Sequence, residues 1–227
     1  MHLKKTLACA AAAAGALGLT LAGVAAPAIA APPEERPGLT YTTQHTPVFD
    51  YDESRATGHY AATADGLDIW TEGTTSTDKV ALYQLVDLAL ASATDFDLDY
   101  TAEAGSLPGG QLLVDLDGDG TPTGYLVIED VYDGGIWLSA NWSGDIDLAE
   151  APVSAVGGGG VDWATFEEWT SAFPDARVQA VGFSLGSGAY GVGTVNGITV
   201  GGETVDFVET SVVVTNRDGV VVPGHNG

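Results

Sequence analysis

From residue 59 onward the sequence is a series of short strand-like runs separated by Gly, Asp or Pro. Apolar and polar residues alternate within many of these runs, as in strands that bury one face. The chain's 31 glycines make long helices costly, because glycine is a poor helix former. We therefore expect an all-β fold, a jelly-roll-like β-sandwich. In the segment 79–91 a helix remains an alternative, since apolar side chains there also repeat at helical spacing. The predicted strands are 59–64, 67–72, 79–90, 96–102, 111–117, 124–132, 135–142, 177–185, 192–200 and 204–209.

One short helix is predicted, over about residues 163–173. Thr165 and Glu168 have the spacing of a capping box, and Asp162 is another candidate for the cap. Large aromatic residues recur on one face of the segment, and Pro174 ends it. We expect this helix to cover one end of the sandwich.

The N-terminus has the organisation of an export signal. Lys4 and Lys5 precede a long run of Ala, Leu, Gly and Val, and Ala28-Ile29-Ala30 is a small-x-small cleavage site. Cleavage after Ala30 predicts a secreted, extracellular protein. The single cysteine, Cys9, lies inside this signal, so the mature chain is expected to lack disulfides, thiolate nucleophiles and cysteine metal sites.

The sequence after the signal divides into three predicted parts. Residues 31–58 are rich in proline and charge, and we expect a flexible linker, that is, a disordered N-terminal segment. Residues 59–209 carry the strand pattern and are assigned to the β-sandwich domain. Residues 210–227 are expected to form a C-terminal hairpin or tail, with a turn at Asp218-Gly219.

The chain is strongly acidic, with 31 Asp and Glu against seven Lys and Arg and a net charge of −24. Such a charge repels phosphate backbones and anionic lipid surfaces. We therefore expect neither nucleic acid nor a membrane as a partner. The function is to be sought among polar and aromatic groups on the surface of the sandwich.

Residues 182–186 read GFSLG and match the G-x-S-x-G nucleophile elbow of serine esterases and lipases. That elbow places the serine on a sharp turn between a strand and a helix, whereas glycine-rich strand patterns follow Ser184. His225, the histidine that completes the order of a triad, lies in the last residues of the chain. We interpret the string as a false elbow, in which strand 177–185 is joined by a glycine-rich loop to an antiparallel partner, 192–200. No catalytic residue is predicted.

The segment DLDGDG resembles the start of a calcium-binding loop. Asp115, Asp117 and Asp119 occupy the first, third and fifth positions, and Thr121 offers its carbonyl at the seventh. The twelfth position, which needs an acid, holds Leu126. The same residues also suit the turn of a β-hairpin, which is favoured. The two interpretations are compatible, so we expect either no cofactor or weakly bound Ca²⁺.

The strand-like segment 136–142, IWLSANW, indicates a binding surface. Strict alternation places Trp137, Ser139 and Asn141 on one face of the strand, and Tyr132 is nearby in the sequence. A tryptophan beside amide and hydroxyl groups suits sugar, which stacks on the ring and hydrogen-bonds to the polar groups. Trp137, Asn141 and Tyr132 are therefore predicted ligand contacts. The alternative is that this face packs under a loop.

The segment DIDLAE resembles the E-I-D-x-x-E strand of laminarinase- and lichenase-type glycoside hydrolases. A retaining glycosidase needs paired acids on one side of the substrate, and Asp145, Asp147 and Glu150 would share that side after a bulge. The chain departs from the pattern at Asp145, where those enzymes have glutamate. A glycan-active hydrolase is therefore an alternative function.

Several longer stretches together resemble a β-sandwich module common in exported actinobacterial proteins. They include KVALYQ, PGGQLLVDLDGDGTPTGYLVIEDVYDGGIWLS and FEEWTSAFPDARVQAVGFSLGSGAYGVGTVNGITVGGETVDF, within residues 75–209. The resemblance implies a secreted, lectin-like sandwich and carries no catalytic residues with it. We therefore expect a non-enzymatic extracellular binding module whose partner is a polysaccharide. A structural or adhesive surface protein is a further alternative.

Overall fold

The computed structural model describes residues 39–130, 135–139, 151–152 and 163–222, and these residues form an all-β fold. The strands are β1 (Thr40–Pro47), β2 (Tyr51–Asp52), β3 (Gly58–Ala62), β4 (Leu67–Thr71), β5 (Lys79–Ala89), β6 (Asp97–Gly105), β7 (Gly109–Asp115), β8 (Gly124–Ile128), β9 (Ile136–Leu138), β10 (Arg177–Gly186), β11 (Gly191–Val200), β12 (Glu203–Val205) and β13 (Val208–Thr215). A short 3₁₀ helix, Leu90–Ser92, follows β5, and an α-helix, α1 (Phe166–Ala172), precedes β10.

The larger sheet has six strands in the order β2-β5-β10-β7-β8-β9. Every neighbouring pair is antiparallel. Its central strand, β10, comes late in the chain and lies between β5 and β7. The middle of the sheet therefore depends on pairing between segments that are far apart in the sequence.

The second sheet has the order β12-β11-β4-β3, and β6 also pairs with β11. Because β4 and β6 both pair with residues 191–195 of β11, they lie on opposite edges of that strand. A separate two-stranded sheet joins β1 to β13.

The core lies between the two larger sheets. Leu82, Leu112 and Phe183 of the six-stranded sheet belong to the same buried cluster as Ile69 and Ile198 of the other sheet. Each of these side chains is at most 1 % exposed. The predicted all-β sandwich with one short helix is confirmed for the described residues.

The helix is shorter than predicted and begins at Phe166 instead of about residue 163. Thr165 is its cap and forms the predicted capping box with Glu168. Asp162 lies outside the described residues. The fully buried Trp169 indole donates a hydrogen bond to the carbonyl of Ile136 over 3.1 Å, which fixes the helix against β9. None of the described helices is long and apolar enough to cross a membrane.

The predicted linker, residues 31–58, needs correction in its second half. Residues 40–47 form strand β1, which pairs along its whole length with β13, and residues 51–52 pair with β5. Proline and charge suggested a loop there, but TYTTQHTP is rich in residues that favour strands. β13 also crosses the predicted domain boundary at residue 209.

Two other predictions, the conformation of residues 79–91 and the pairing of β10 with β11, can be compared with the structure. The segment 79–91 is a strand followed by a 3₁₀ turn, so the helical alternative is wrong. β10 and β11 are strands as predicted, but they do not pair with each other: β10 belongs to the six-stranded sheet and β11 to the other. The glycine-rich loop between them carries the chain from one sheet to the other, which the local sequence pattern does not distinguish from a hairpin.

Candidate functional site

One row of residues crosses five strands on the outer face of the six-stranded sheet. The register aligns Tyr83, Gly182, Gln111, Val127 and Trp137, one residue from each of β5, β10, β7, β8 and β9. Since side chains alternate along a strand, this face is opposite to the one that forms the core. The row is the floor of the candidate site.

Gly182 allows Tyr83 to lie across the sheet. A Cβ atom at position 182 would be 2.3 Å from the carbonyl oxygen of Leu82 and 2.3 Å from the Cδ1 atom of Tyr83. The tyrosine hydroxyl therefore passes over β10 and donates a hydrogen bond to the Oε1 atom of Gln111. The Tyr83 ring also stacks on Tyr125, with 5.1 Å between ring centroids.

A polar chain continues from these tyrosines to the edge of the sheet. The Tyr125 hydroxyl donates to Glu53 over 2.7 Å, and Lys79 donates to the other oxygen of the same carboxylate over 3.1 Å. Burial raises the pKa of both Tyr83 and Tyr125 well above the usual range of tyrosine. Both phenols therefore stay protonated at neutral pH and act as hydrogen-bond donors.

Trp137 is held in one orientation. Its half-buried ring packs against a small apolar cluster on this face, which includes Val127 and Tyr125. Its indole N–H donates to the carboxylate of Glu129 over 3.2 Å. A fixed aromatic ring costs less conformational entropy on binding a ligand than a mobile one.

Beside this row lies a cleft of about 300 Å³, a volume at the lower end of small-molecule sites. Its wall contains one tryptophan surrounded by polar groups: an amide, hydroxyls, a carboxylate, an ammonium and a guanidinium. This arrangement suits a polar ligand with a flat apolar face. The lining includes Arg55, Lys79, Gln111, Glu129, Trp137 and Ser184. A neighbouring depression shares Glu129 and extends towards Leu107 and Asp130.

Of the predicted ligand contacts, Trp137 lies in the cleft, and Ser139 from the same strand face lines it too. Tyr132 and Asn141 lie outside the described residues. The acids of the hydrolase alternative, Asp145, Asp147 and Glu150, also lie outside them, so that alternative stays a prediction.

Sequence reasoning missed several residues of the cleft. Alternation along β7, and along β8 to the residue that follows it, places Gln111 and Glu129 on the Trp137 face. The local sequence pattern could therefore have identified these two residues. No local sequence pattern indicates that Arg55 and Lys79 lie in the cleft. They reach the cleft because the segment around Arg55 bridges to the start of β5.

Ser184 also lines the cleft, but it lies within strand β10 and not on a turn between a strand and a helix. It pairs with Ala81 and Gly109 within the sheet, and the chain continues through a loop into another strand. The described residues that line the cleft include no histidine. The glycines of GFSLG have structural explanations: Gly182 makes room for Tyr83, and Gly186 has a φ of +112°.

The acidic turn between β7 and β8 lies apart from the residues that line the cleft. Carboxylate oxygens of Asp115, Asp117 and Asp119 lie within 4.8 Å of one another. The buried Asp115 carboxylate accepts hydrogen bonds from the N–H groups of Gly118 and Gly120 at 2.8 and 2.7 Å. Thr121 donates its N–H to Asp119. The predicted β7–β8 hairpin is present, and its three carboxylates converge.

Comparison of the chain with protein-family models, with curated proteins and with solved structures found no match.

Proposed function

We propose that this protein is a secreted, non-catalytic module that binds polysaccharide in the cleft beside Trp137. The observation that carries the proposal is the Trp137 ring, oriented by its hydrogen bond to Glu129 and surrounded by groups that pair with sugar hydroxyls. The apolar face of a pyranose stacks on an indole, while its hydroxyls need donors and acceptors around the rim.

The polar groups of the cleft have distinct roles in this proposal. Glu129 accepts hydrogen bonds from sugar hydroxyls, and the amide nitrogen of Gln111 donates to them, since its Oε1 atom accepts from Tyr83. Ser139 and Ser184 both donate and accept. Their backbones lie in or next to strands, so their spacing is set by the sheet before the ligand arrives. Such preorganisation lowers the entropic cost of binding.

Affinity measurements on a panel of insoluble and soluble polysaccharides test the proposal. We expect selective retention by some of them and a loss of about tenfold or more for Trp137→Ala. Trp70→Ala is the control, because Trp70 is an exposed tryptophan that lies on β4 of the other sheet, stacked on His59. Uniform lack of binding would overturn the proposal, as would binding that is unchanged by Trp137→Ala. Because Trp137 is half-buried, Trp137→Ala could weaken binding by disturbing the fold. Glu129→Gln leaves the packed ring in place and should also weaken binding.

Export is part of the proposal and is supported by the signal-like N-terminus and by the resemblance to exported sandwich modules. Expression in a secreting host should release a protein whose N-terminus is residue 31. N-terminal sequencing of the protein from culture medium measures this. A protein that stays in the cell with its first 30 residues attached would contradict it.

We also propose weak Ca²⁺ binding at the β7–β8 turn, through Asp115, Asp117 and Asp119 with the carbonyl of Thr121. The convergence of the three carboxylates supports it. EDTA should lower the melting temperature, and Asp117→Ala should abolish that sensitivity. Asp218→Ala, which removes an acid from another exposed turn, is the control. A melting temperature that does not respond to either Ca²⁺ or EDTA would overturn the proposal.

A further inference from the structure

The few basic residues of this acidic chain are unevenly placed. The described residues contain four, namely Arg55, Lys79, Arg177 and Arg217, and the first two line the same cleft. The bridge between Arg55 and Lys79 brings both bases to this cleft, which Glu129 also lines.

Carboxylate partners account for two of the four. Lys79 pairs with Glu53 over 3.1 Å, and Arg177 pairs with Asp87. Arg217 and Arg55 form no ion pair with a carboxylate of the described residues, and of these two only Arg55 lines the cleft. Its Nε atom donates to the carbonyl of Thr77 over 3.2 Å, and its Nη2 atom donates to the Ser187 hydroxyl over 3.3 Å.

These two contacts hold the guanidinium in place without neutralising it. A guanidinium has five N–H donors, so the two bonds leave three for a ligand. The backbone of Arg55 is held as well. Its N–H donates to the carbonyl of Lys79 over 2.8 Å, and the next residue, Ala56, has a φ of 53°, which is unusual for a residue other than glycine.

We propose that the cleft recognises a polysaccharide whose sugars carry carboxylates, and that Arg55 is the residue that binds the carboxylate. This inference rests on the proposed function and names its ligand class. A planar carboxylate matches the fork of an arginine side chain, and charge-assisted hydrogen bonds are about twice as strong as neutral ones.

The acids far from the cleft affect this recognition less than those inside it. Charges on the surface are screened over a Debye length of about 8 Å at physiological ionic strength. Glu129, at the Trp137 side of the cleft, disfavours a second negative group there. A ligand with one carboxylate per sugar therefore fits better than a densely sulfated one.

Calorimetric titration with a matched pair of polymers tests the inference. Polygalacturonate carries one carboxylate per sugar, and its carboxyl-reduced form keeps the linkage but lacks the charge. We expect wild-type protein to bind polygalacturonate about tenfold more tightly than the reduced polymer. Arg55→Gln should abolish the difference by lowering the affinity for polygalacturonate about tenfold, to that for the reduced polymer. Arg217→Gln, which removes an exposed base from the terminal turn, should leave the difference unchanged.

Two results separate this inference from the proposed function. If wild-type protein binds both polymers equally and Trp137→Ala weakens both, the inference is overturned and polysaccharide binding stands. If neither polymer binds and the wider panel is also negative, the proposed function fails and the inference fails with it. Dextran sulfate that binds as tightly as polygalacturonate would also overturn the assignment to carboxylates.

Discussion

The hydroxyl of Tyr83 donates a hydrogen bond to Gln111 although an entire strand, β10, lies between their backbones. Gly182 is the residue of β10 over which the ring passes. The absence of a side chain there explains the first glycine of GFSLG by packing. The structure thus connects a motif that resembles a catalytic one to the floor of the cleft.

Gly182→Ala is predicted to destabilise the protein by about 1–3 kcal/mol, because the new methyl group overlaps the Tyr83 ring and the Leu82 carbonyl. Urea unfolding measures the loss. Gly197→Ala is the control, since a Cβ atom there lies 3.3 Å from its nearest neighbours and should cost less. Equal stabilities of the two variants would contradict the packing described here.

The buried phenol of Tyr83 predicts a loss of stability in alkali. Burial, followed by the nearby Tyr125 and Glu53, raises the pKa of Tyr83 in the folded protein. Above about pH 10 the unfolded chain releases this proton while the folded chain retains it, so stability falls as pH rises. The contribution is about 1.4 kcal/mol per pH unit, and Tyr83→Phe should remove it.

Urea unfolding at several pH values between 9 and about 11 measures that slope. Tyr190→Phe is the control, because Tyr190 is 51 % exposed in a loop. A slope that is the same in wild type and Tyr83→Phe would show that another group dominates the alkaline transition.

Asp78 predicts a loss of stability in acid. Its buried carboxylate accepts hydrogen bonds from the Thr75 hydroxyl at 2.6 Å and from the Thr74 and Thr75 N–H groups at 2.6 and 3.0 Å. These bonds, led by the Thr75 hydroxyl, hold the pKa of Asp78 below its usual range. A lowered pKa adds stability above the unfolded pKa, and this stability is lost as pH falls below about 4.

Asp78→Asn should therefore lower the melting temperature most at neutral pH and progressively less as the pH falls towards 3. Asp65→Asn, in an exposed turn, is the control for a change of charge alone. A melting-temperature difference between wild type and Asp78→Asn that does not vary with pH would contradict this role for the carboxylate.

The backbone conformation of Ala56, next to the cleft residue Arg55, indicates that glycine there would stabilise the protein. Its φ of 53° lies in the left-handed region, which costs an L-residue roughly 1 kcal/mol and glycine little. Ala56→Gly should therefore raise the free energy of unfolding by up to about 1 kcal/mol. Ala61→Gly, in the exposed part of β3, should have the opposite sign, because glycine weakens an ordinary strand. Destabilisation by both substitutions would contradict a left-handed conformation at Ala56.

The strands and the face of Trp137 could be predicted because the alternation of side chains along a strand is a local property of the sequence. The same is true of the capping box at Thr165 and Glu168. Arg55 could not be placed, since its position depends on a bridge to Lys79 that no local pattern encodes. The pairing of β10 also escaped prediction, because a glycine-rich loop suits both a hairpin and a crossing between sheets.

The position of β10 between β5 and β7 also constrains how the molecule folds. Both neighbours precede it in the chain, so their inner edges stay unpaired until residues 177–186 arrive. Long-range pairing of this kind is slow, on the order of milliseconds to seconds, and open strand edges favour aggregation meanwhile. The cleft, whose lining includes Ser184 of β10, therefore forms only after β10 has paired, and a chain truncated before β10 should lack it.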